Sequence, residues 1–346
     1  MKTYNKFADD NKWELVNKES KSILNDFIVE MKMKKRAEKT IYQYTNDIKI
    51  FLYIIYDLLD NISVLEISKK QWKMIIMLFI DERGMSSSRV NRLVSAMRTM
   101  LEMCTEDEDE YDYKINMMQK IKSLPKNTVR EIIFLQDEWI NAIEEELVAK
   151  KEWQKLAFLF LAYDSGARKQ EIYQITKESV SDENVSLTNK VIGKRKKVFQ
   201  LIMFSKSKKY IKKFLEYRNS LGEDDIESLW IRIDANGKKT PLSVEAFYYW
   251  VKEFNIILKN KLGIDVNASV HDLRHSSVDN MSYQNPTHYA LKEIGRPNGL
   301  LLEELQLHLN HSSSEITKSY LQNRDEEIKL SMYGLLDNND NEEKGE

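Results

Sequence analysis

A chain of 346 residues, 42% hydrophobic and 31% charged with only 10 glycines and 4 prolines, exceeds one ordinary domain and excludes a disordered or linker-rich protein. One cysteine, Cys104, excludes an intramolecular disulfide and a multi-cysteine zinc cluster, which suits a reducing compartment. No apolar run approaches the roughly 20 residues that span a bilayer, and Met1 to Lys6 offer no signal-peptide core, so a cytoplasmic protein with no membrane partner is expected.

The formal net charge of −2 does not by itself advertise nucleic acid, but the charge is unevenly spread. Acidic residues collect at Glu106 to Asp112 and from Asp337 to Glu346, whereas Lys190 to Lys213 holds ten Lys and Arg without one Asp or Glu. Such a run is either a solvated face or a phosphate-binding surface, and charge alone does not separate the two.

In chain order, Ile41, Tyr44, Ile48, Phe51, Leu52 and Ile55 recur at helical spacing after a polar leader. Gly84 ends the next segment, Gln71 to Arg83. Ser86 to Ser88 then offer an N-cap for a helix with the stripe Val90, Leu93, Val94, Met97, Met100 and Leu101. That helix carries Arg89, Arg92 and Arg98, which suit phosphate contacts or ordinary solvated positions equally. The acidic run and Ser123 to Thr128 then break the apolar pattern and mark a domain boundary.

Beyond the break come a helix over Trp153 to Tyr163, a turn at Asp164 to Gly166, and a further helix bearing Arg168, Glu171 and Ile172. Val191-Ile192 and Val198 to Ile202 predict a hairpin with a basic tip at Gly193 to Lys196. Ser243 is a cap for a helix with the stripe Val244, Phe247, Val251, Phe254 and Leu258. The expected class is mainly α with a small β-sheet, an α+β second domain following an all-α bundle.

All five histidines, His271, His275, His288, His308 and His311, lie in one short region. His271-Asp-Leu-Arg274-His275 puts two imidazoles at i and i+4, a spacing seen in zinc helices. Arg274 stands where a zinc protease needs its glutamate, and its charge opposes a metal, so no metal is assigned. Arginine instead supplies a planar fork matched to two phosphate oxygens, and His271 with Arg274 fits a phosphodiester site.

At these residues the sequence resembles the tyrosine recombinase, or phage integrase, family, whose second box reads His-x-x-Arg followed by His or a similar residue. Asp164-Ser-Gly-Ala-Arg168-Lys-Gln-Glu171 is similar to the first-arginine box. Val191-Ile-Gly-Lys194 resembles the hairpin bearing the active-site lysine, with Lys196 a substitute. Leu309-Asn-His311 through Tyr320 resembles the last box, the tyrosine following His311 by nine positions. Asn310 stands where the family commonly has Gly, but Asn tolerates a left-handed cap. The interval of 37 positions from Arg274 to His311 is long, with Tyr283 to Pro297 reading as inserted loop.

The resemblance implies a polar leader (1–19), a core-binding (SAM-like) helical DNA-binding domain (20–122), a linker (123–130), a catalytic domain (131–336) and an acidic tail (337–346). It implies strand cleavage and rejoining through a 3′-phosphotyrosine on Tyr320, without metal or cofactor. Arg168, Arg274 and His311 would hold the phosphate, Glu171 would orient the arginines, His271 would be the base and Lys194 the general acid. Expected partners are double-stranded DNA and further copies of the chain in a tetramer, with an accessory directionality factor left open. Ile328, Met332, Leu335 and Leu336 form the apolar stripe of a terminal helix that must be buried, either on its own catalytic domain or, as the resemblance implies, on a neighbouring protomer. The competing readings are a type IB topoisomerase, a catalytically silent DNA-binding regulator and a metal-dependent hydrolase.

Overall fold

The computed structural model describes residues 9–125, 131–182, 184–311 and 313–324. The terminal stripe from Ile328 to Leu336, the acidic tail, the first eight residues of the leader and most of the 123–130 linker therefore lie outside the described residues. The chain divides into two compact units, Met1–Glu131 and Ile132–Glu346, the first helical and the second helical with two small antiparallel hairpins.

The first unit contains α1 (Asp10–Leu15), α2 (Lys18–Met33), α3 (Glu38–Leu58), α4 (Lys69–Asp81) and α5 (Ser87–Glu106). The apolar positions of α3 from Ile48 to Ile55 are buried, and Phe51 meets the ring edges of Trp72 and Phe79 at 5.6 and 5.2 Å. Ser68 and Gln71 form a capping box at the start of α4, and Ser86 caps α5. The arginines of α5 find partners within this unit. Arg89 and Arg92 pair with the buried carboxylate of Asp47, and Arg98 donates to the carbonyls of Met118 and Ile121. Arg98 thereby folds the segment after the acidic run back onto the bundle, where Met118 and Ile121 join its core.

In the second unit α7 (Trp153–Ser165) is apolar on all sides and buried from Leu156 to Ser165, which marks a central helix. Around it lie α6 (Asp137–Ala149), the short α8 (Lys169–Ile172), α9 (Ser205–Ser220) and α11 (Val270–Met281), all in contact with it. Phe158 of α7 stacks on Phe247 of α10 (Ala246–Leu262) at 4.4 Å. Glu245 occupies the N-cap of α10, so Ser243 turns the chain just ahead of the helix instead of capping it. The first hairpin pairs β1 (Val191–Ile192) with β2 (Val198–Phe199). The second pairs β3 (Ile231–Ile233) with β4 (Lys239–Pro241) and was not foreseen from the sequence.

The segment from Tyr283 to Pro297 is an ordered part of this core. It contains α12 (Ala290–Glu293), and Tyr283 N donates to Leu300 O to close its base. Its Tyr289 hydroxyl donates to Asp164 Oδ1 at 2.6 Å. Burial pushes that carboxyl up to about 7, against the hydrogen bonds it accepts. Two helices follow, α13 (Leu302–His308) and α14 (Ser314–Lys318).

Candidate active site

The site begins where α7 ends. Gly166 takes the left-handed conformation, φ +55°, and a Cβ there would lie 2.7 Å from Leu309 Cδ2, so only glycine turns the chain here without displacing the last box. Arg168 follows as the N-cap of α8. Glu171, buried, accepts the Arg168 backbone N–H at 2.7 Å and its Nη1 at 3.1 Å, so one carboxylate caps the helix and holds the guanidinium. Gly193 brings the first hairpin close: a Cβ on it would sit 3.0 Å from Glu171 Oε1.

Helix α11 supplies the second arginine. Arg274 is 1% exposed and donates from Nη1 to Gly166 O and from Nη2 to His311 Nε2, while its Nε is buried without a hydrogen-bond partner. Burial and then the Arg168 charge lower its pKa, opposed by Tyr320 and Glu171. Because guanidinium only donates, His311 Nε2 is an acceptor and the imidazole proton lies on Nδ1, 3.0 Å from Thr317 Oγ1. Burial, Arg274, Arg168 and Lys197 push His311 down to about 3.

Tyr320, 7% exposed, closes the group. Its ring stacks on His275 at 4.4 Å and on His311 at 5.2 Å, lies 5.4 Å from His271, and has Arg274 Cζ 4.9 Å from its centroid. His271 stands at the open rim, and partial burial followed by His275 and Arg274 pushes its imidazole down to about 4. Six of the seven residues singled out in the sequence therefore share one neighbourhood. The seventh, Lys194, is exposed on the hairpin tip, in a turn where Arg195 and Lys196 both have positive φ. The hairpin lysine that reaches the last box is Lys197, whose Nζ donates to Asn310 O at 2.9 Å. Asn310 itself has φ +55°, so asparagine carries the left-handed turn.

The five histidines divide into two groups. His271, His275 and His311 face Tyr320, whereas His288 is buried against Tyr163 and His308 is half-buried near Asp164. Among the described residues no three His, Cys, Asp or Glu side chains converge as a metal site, and no helix is long and apolar enough to cross a membrane. Thr317 was missed in the sequence, although its place between His311 and Tyr320 on α14 was visible. Asp279 was missed as well, one turn beyond His275 on the stripe His271, His275, Asp279.

Comparison with known proteins finds relatives by sequence and by fold. Among curated proteins, the chain is 23% identical over 193 residues to the SPbeta prophage-derived recombinase-like protein YomM of Bacillus subtilis, covering 53% of this chain and 57% of that one. It is 22% identical over 323 residues to the tyrosine recombinase XerC of Leptospira interrogans, covering 91% and 92%. Among solved structures, a lambda integrase dimer bound to a COC′ core site has a TM-score of 0.61 at 18% identity, covering 86% of this chain and 76% of that one. The Tn1549 transposon integrase with circular intermediate DNA reaches 0.63 at 13%, covering 90% and 98%. These similarities in structure speak to the fold. The phage integrase family profile matches residues 122–295, half of the chain, and spans the first-arginine turn, the hairpin and the His-x-x-Arg helix; the chain belongs to the phage integrase family.

Proposed function

We propose that the chain is a site-specific tyrosine recombinase that cleaves and rejoins DNA through a 3′-phosphotyrosine on Tyr320. Membership of the family supports DNA recombination as the class of activity. The observation that carries the finer reading is the placement of the Tyr320 ring between His275 and His311 with the Arg274 guanidinium beside it.

A phosphodiester gains negative charge as the tyrosine oxygen approaches phosphorus, and fixed cations aimed at its non-bridging oxygens lower the barrier. Arg168 and Arg274 supply them, and Glu171 holds Arg168 from behind. The Arg274 Nη2 donor now spent on His311 turns to the phosphate when DNA binds. His311 then donates from Nε2, its other nitrogen accepting from the Thr317 hydroxyl, which serves either tautomer. A tyrosine hydroxyl is a weak nucleophile at neutral pH without a base. His271, held neutral by its depressed pKa, takes that proton. The bond from phosphorus to the 5′ oxygen breaks, and Lys194 protonates the leaving oxygen once the hairpin closes on DNA. The new ester retains the bond energy, so a partner strand's 5′ hydroxyl reverses the step.

The DNA complexes among the structural neighbours, including a lambda integrase tetramer on a Holliday junction, support duplex DNA as partner and a tetramer as the working assembly. The test is a nicked duplex that loses its leaving strand after cleavage, followed by denaturing electrophoresis and mass spectrometry. A DNA adduct on the peptide containing Tyr320 is expected. An adduct on another tyrosine, Tyr333 for example, would overturn the assignment. Exchange of strands between two duplexes, as opposed to relaxation of supercoils by a monomer, separates the recombinase from a topoisomerase.

A further inference from the structure

The chain leaves α14 at Ser319, and Tyr320 to Arg324 belong to no helix or strand. A catalytic side chain on such a segment needs other anchors, because backbone ladders do not fix it. The anchors lie on one face of α11. His271, His275 and Asp279 follow one another at i, i+4 and i+8, so they line a single stripe. The segment runs along that stripe. His275 Nδ1 donates to Tyr320 O at 3.4 Å, and Gln322 N donates to Asp279 Oδ1 at 2.9 Å. Arg324 closes the run with a fork on the same carboxylate, Nη1 to Oδ1 at 2.8 Å and Nη2 to Oδ2 at 2.7 Å. Asn285 Nδ2 donates to Asp279 Oδ2 at 3.1 Å and ties in the Tyr283 to Pro297 segment.

Asp279 is fully buried and Arg324 half-buried, with 14% of its side chain exposed. A buried bidentate pair is strongly directional, and removing one partner strands the other charge. On surface stability alone this arrangement has little to recommend it, since a packed apolar pair serves as well. What it fixes is register: Arg324 can grip Asp279 with both nitrogens only if the preceding residues lie where Tyr320 meets Arg274 and the two imidazoles of the same helix.

We propose that Asp279 and Arg324 form a latch that positions Tyr320 against the phosphate clamp of its own subunit. Both are positioning residues, and the proposal rests on Tyr320 being the nucleophile. Loss of the latch frees the segment without touching the phosphate-binding side chains. A misplacement of the reacting oxygen by about 1 Å costs on the order of 100-fold in rate.

The test uses full-length Arg324→Gln, Arg324→Lys, Asp279→Asn and Tyr320→Phe beside the parent protein. In the free proteins, hydrogen exchange is expected to quicken at residues 319–324 in Arg324→Gln and Asp279→Asn while α7 and the first two turns of α11 stay protected. With the nicked duplex, Arg324→Gln is expected to bind within about twofold of the parent but to form adduct 10–100-fold more slowly at saturating protein. Arg324→Lys is expected to recover part of that loss. A mixture of Tyr320→Phe with Arg274→Ala, which gives no adduct when each subunit uses its own tyrosine, is expected to gain adduct when the Arg274→Ala partner also carries Arg324→Gln. Unchanged exchange at 319–324, or an unchanged adduct rate despite faster exchange, would overturn the latch. An adduct that survives Tyr320→Phe would instead sink the nucleophile, while the exchange result would still judge the anchor.

Discussion

Arg274 Nη2 donates to Nε2 of His311, and the imidazole therefore keeps its proton on Nδ1, facing Thr317. For His311 to donate to a phosphate, that proton must move to Nε2, and Nδ1 must then accept from the Thr317 hydroxyl. Thr317→Val removes the group that serves both tautomers and leaves the shape nearly intact. We expect adduct formation to fall on the order of 10-fold with DNA affinity unchanged, since one hydrogen bond to a reacting group is lost. Thr317→Ser should keep the parent rate. A valine variant that cleaves as fast as the parent would show that Thr317 only packs.

Tyr320→Phe deletes one oxygen and no positive charge. Gel-shift affinity for the duplex should stay within about twofold, because phosphate attraction is carried by Lys and Arg, while the covalent adduct disappears. Retained adduct in denaturing electrophoresis would move the nucleophile elsewhere.

Lys194 and Lys197 are to be told apart chemically. Lys194→Ala should slow cleavage of ordinary DNA on the order of 10²–10⁴-fold but leave cleavage of a duplex with sulfur at the leaving position nearly unaffected, since a thiolate departs without a proton. Lys197→Ala removes the tie from the hairpin to Asn310 and should slow both substrates alike. If Lys197→Ala is the variant rescued by sulfur, the general acid is Lys197.

The buried histidines set a direction for acid stability. His288 accepts from Ala290 N at Nδ1 and donates to Tyr163 O from Nε2, a pattern that only the neutral ring can make. Burial pushes it down to about 3 from 6.5. Between these values the unfolded chain binds the proton and the folded chain does not, so stability falls as pH falls, by about 1.4 kcal/mol per unit for this group. His308 and His311, depressed to about 4 and about 3, act in the same direction. Asp164, raised to about 7 from 3.8, acts in the opposite one. Urea unfolding from pH 7 down to 5 should show the parent losing stability faster than His288→Gln, whatever their offset at pH 7. Parallel profiles would mean that His288 titrates normally.

What the sequence determined was chemical type and local order. Helical stripes such as Val90 to Leu101 follow from a 3.6-residue period that burial must respect, and the segment became α5 with all six positions buried. The residues around Arg168, His271-x-x-Arg274 and His311 to Tyr320 were legible through their resemblance to the boxes of the phage integrase family, and the fold brings them into one neighbourhood. Asn310 was legible too, since few residues other than glycine accept φ +55°.

What only the tertiary structure decided was which groups share a partner across long stretches of chain. Nothing local distinguishes Arg98, braced on Met118 and Ile121, from an arginine free for phosphate. The same holds for Tyr289, whose segment read as loop although its hydroxyl reaches Asp164, 125 residues away in the chain. The stripe His271, His275, Asp279 was visible on one helix, but a carboxylate at i+8 acquires meaning only when the fold lays Gln322 and Arg324 against it. A side chain's chemistry is carried by the residue, whereas its partner is fixed by packing, and in this protein the positioning of Tyr320 depends on the partners.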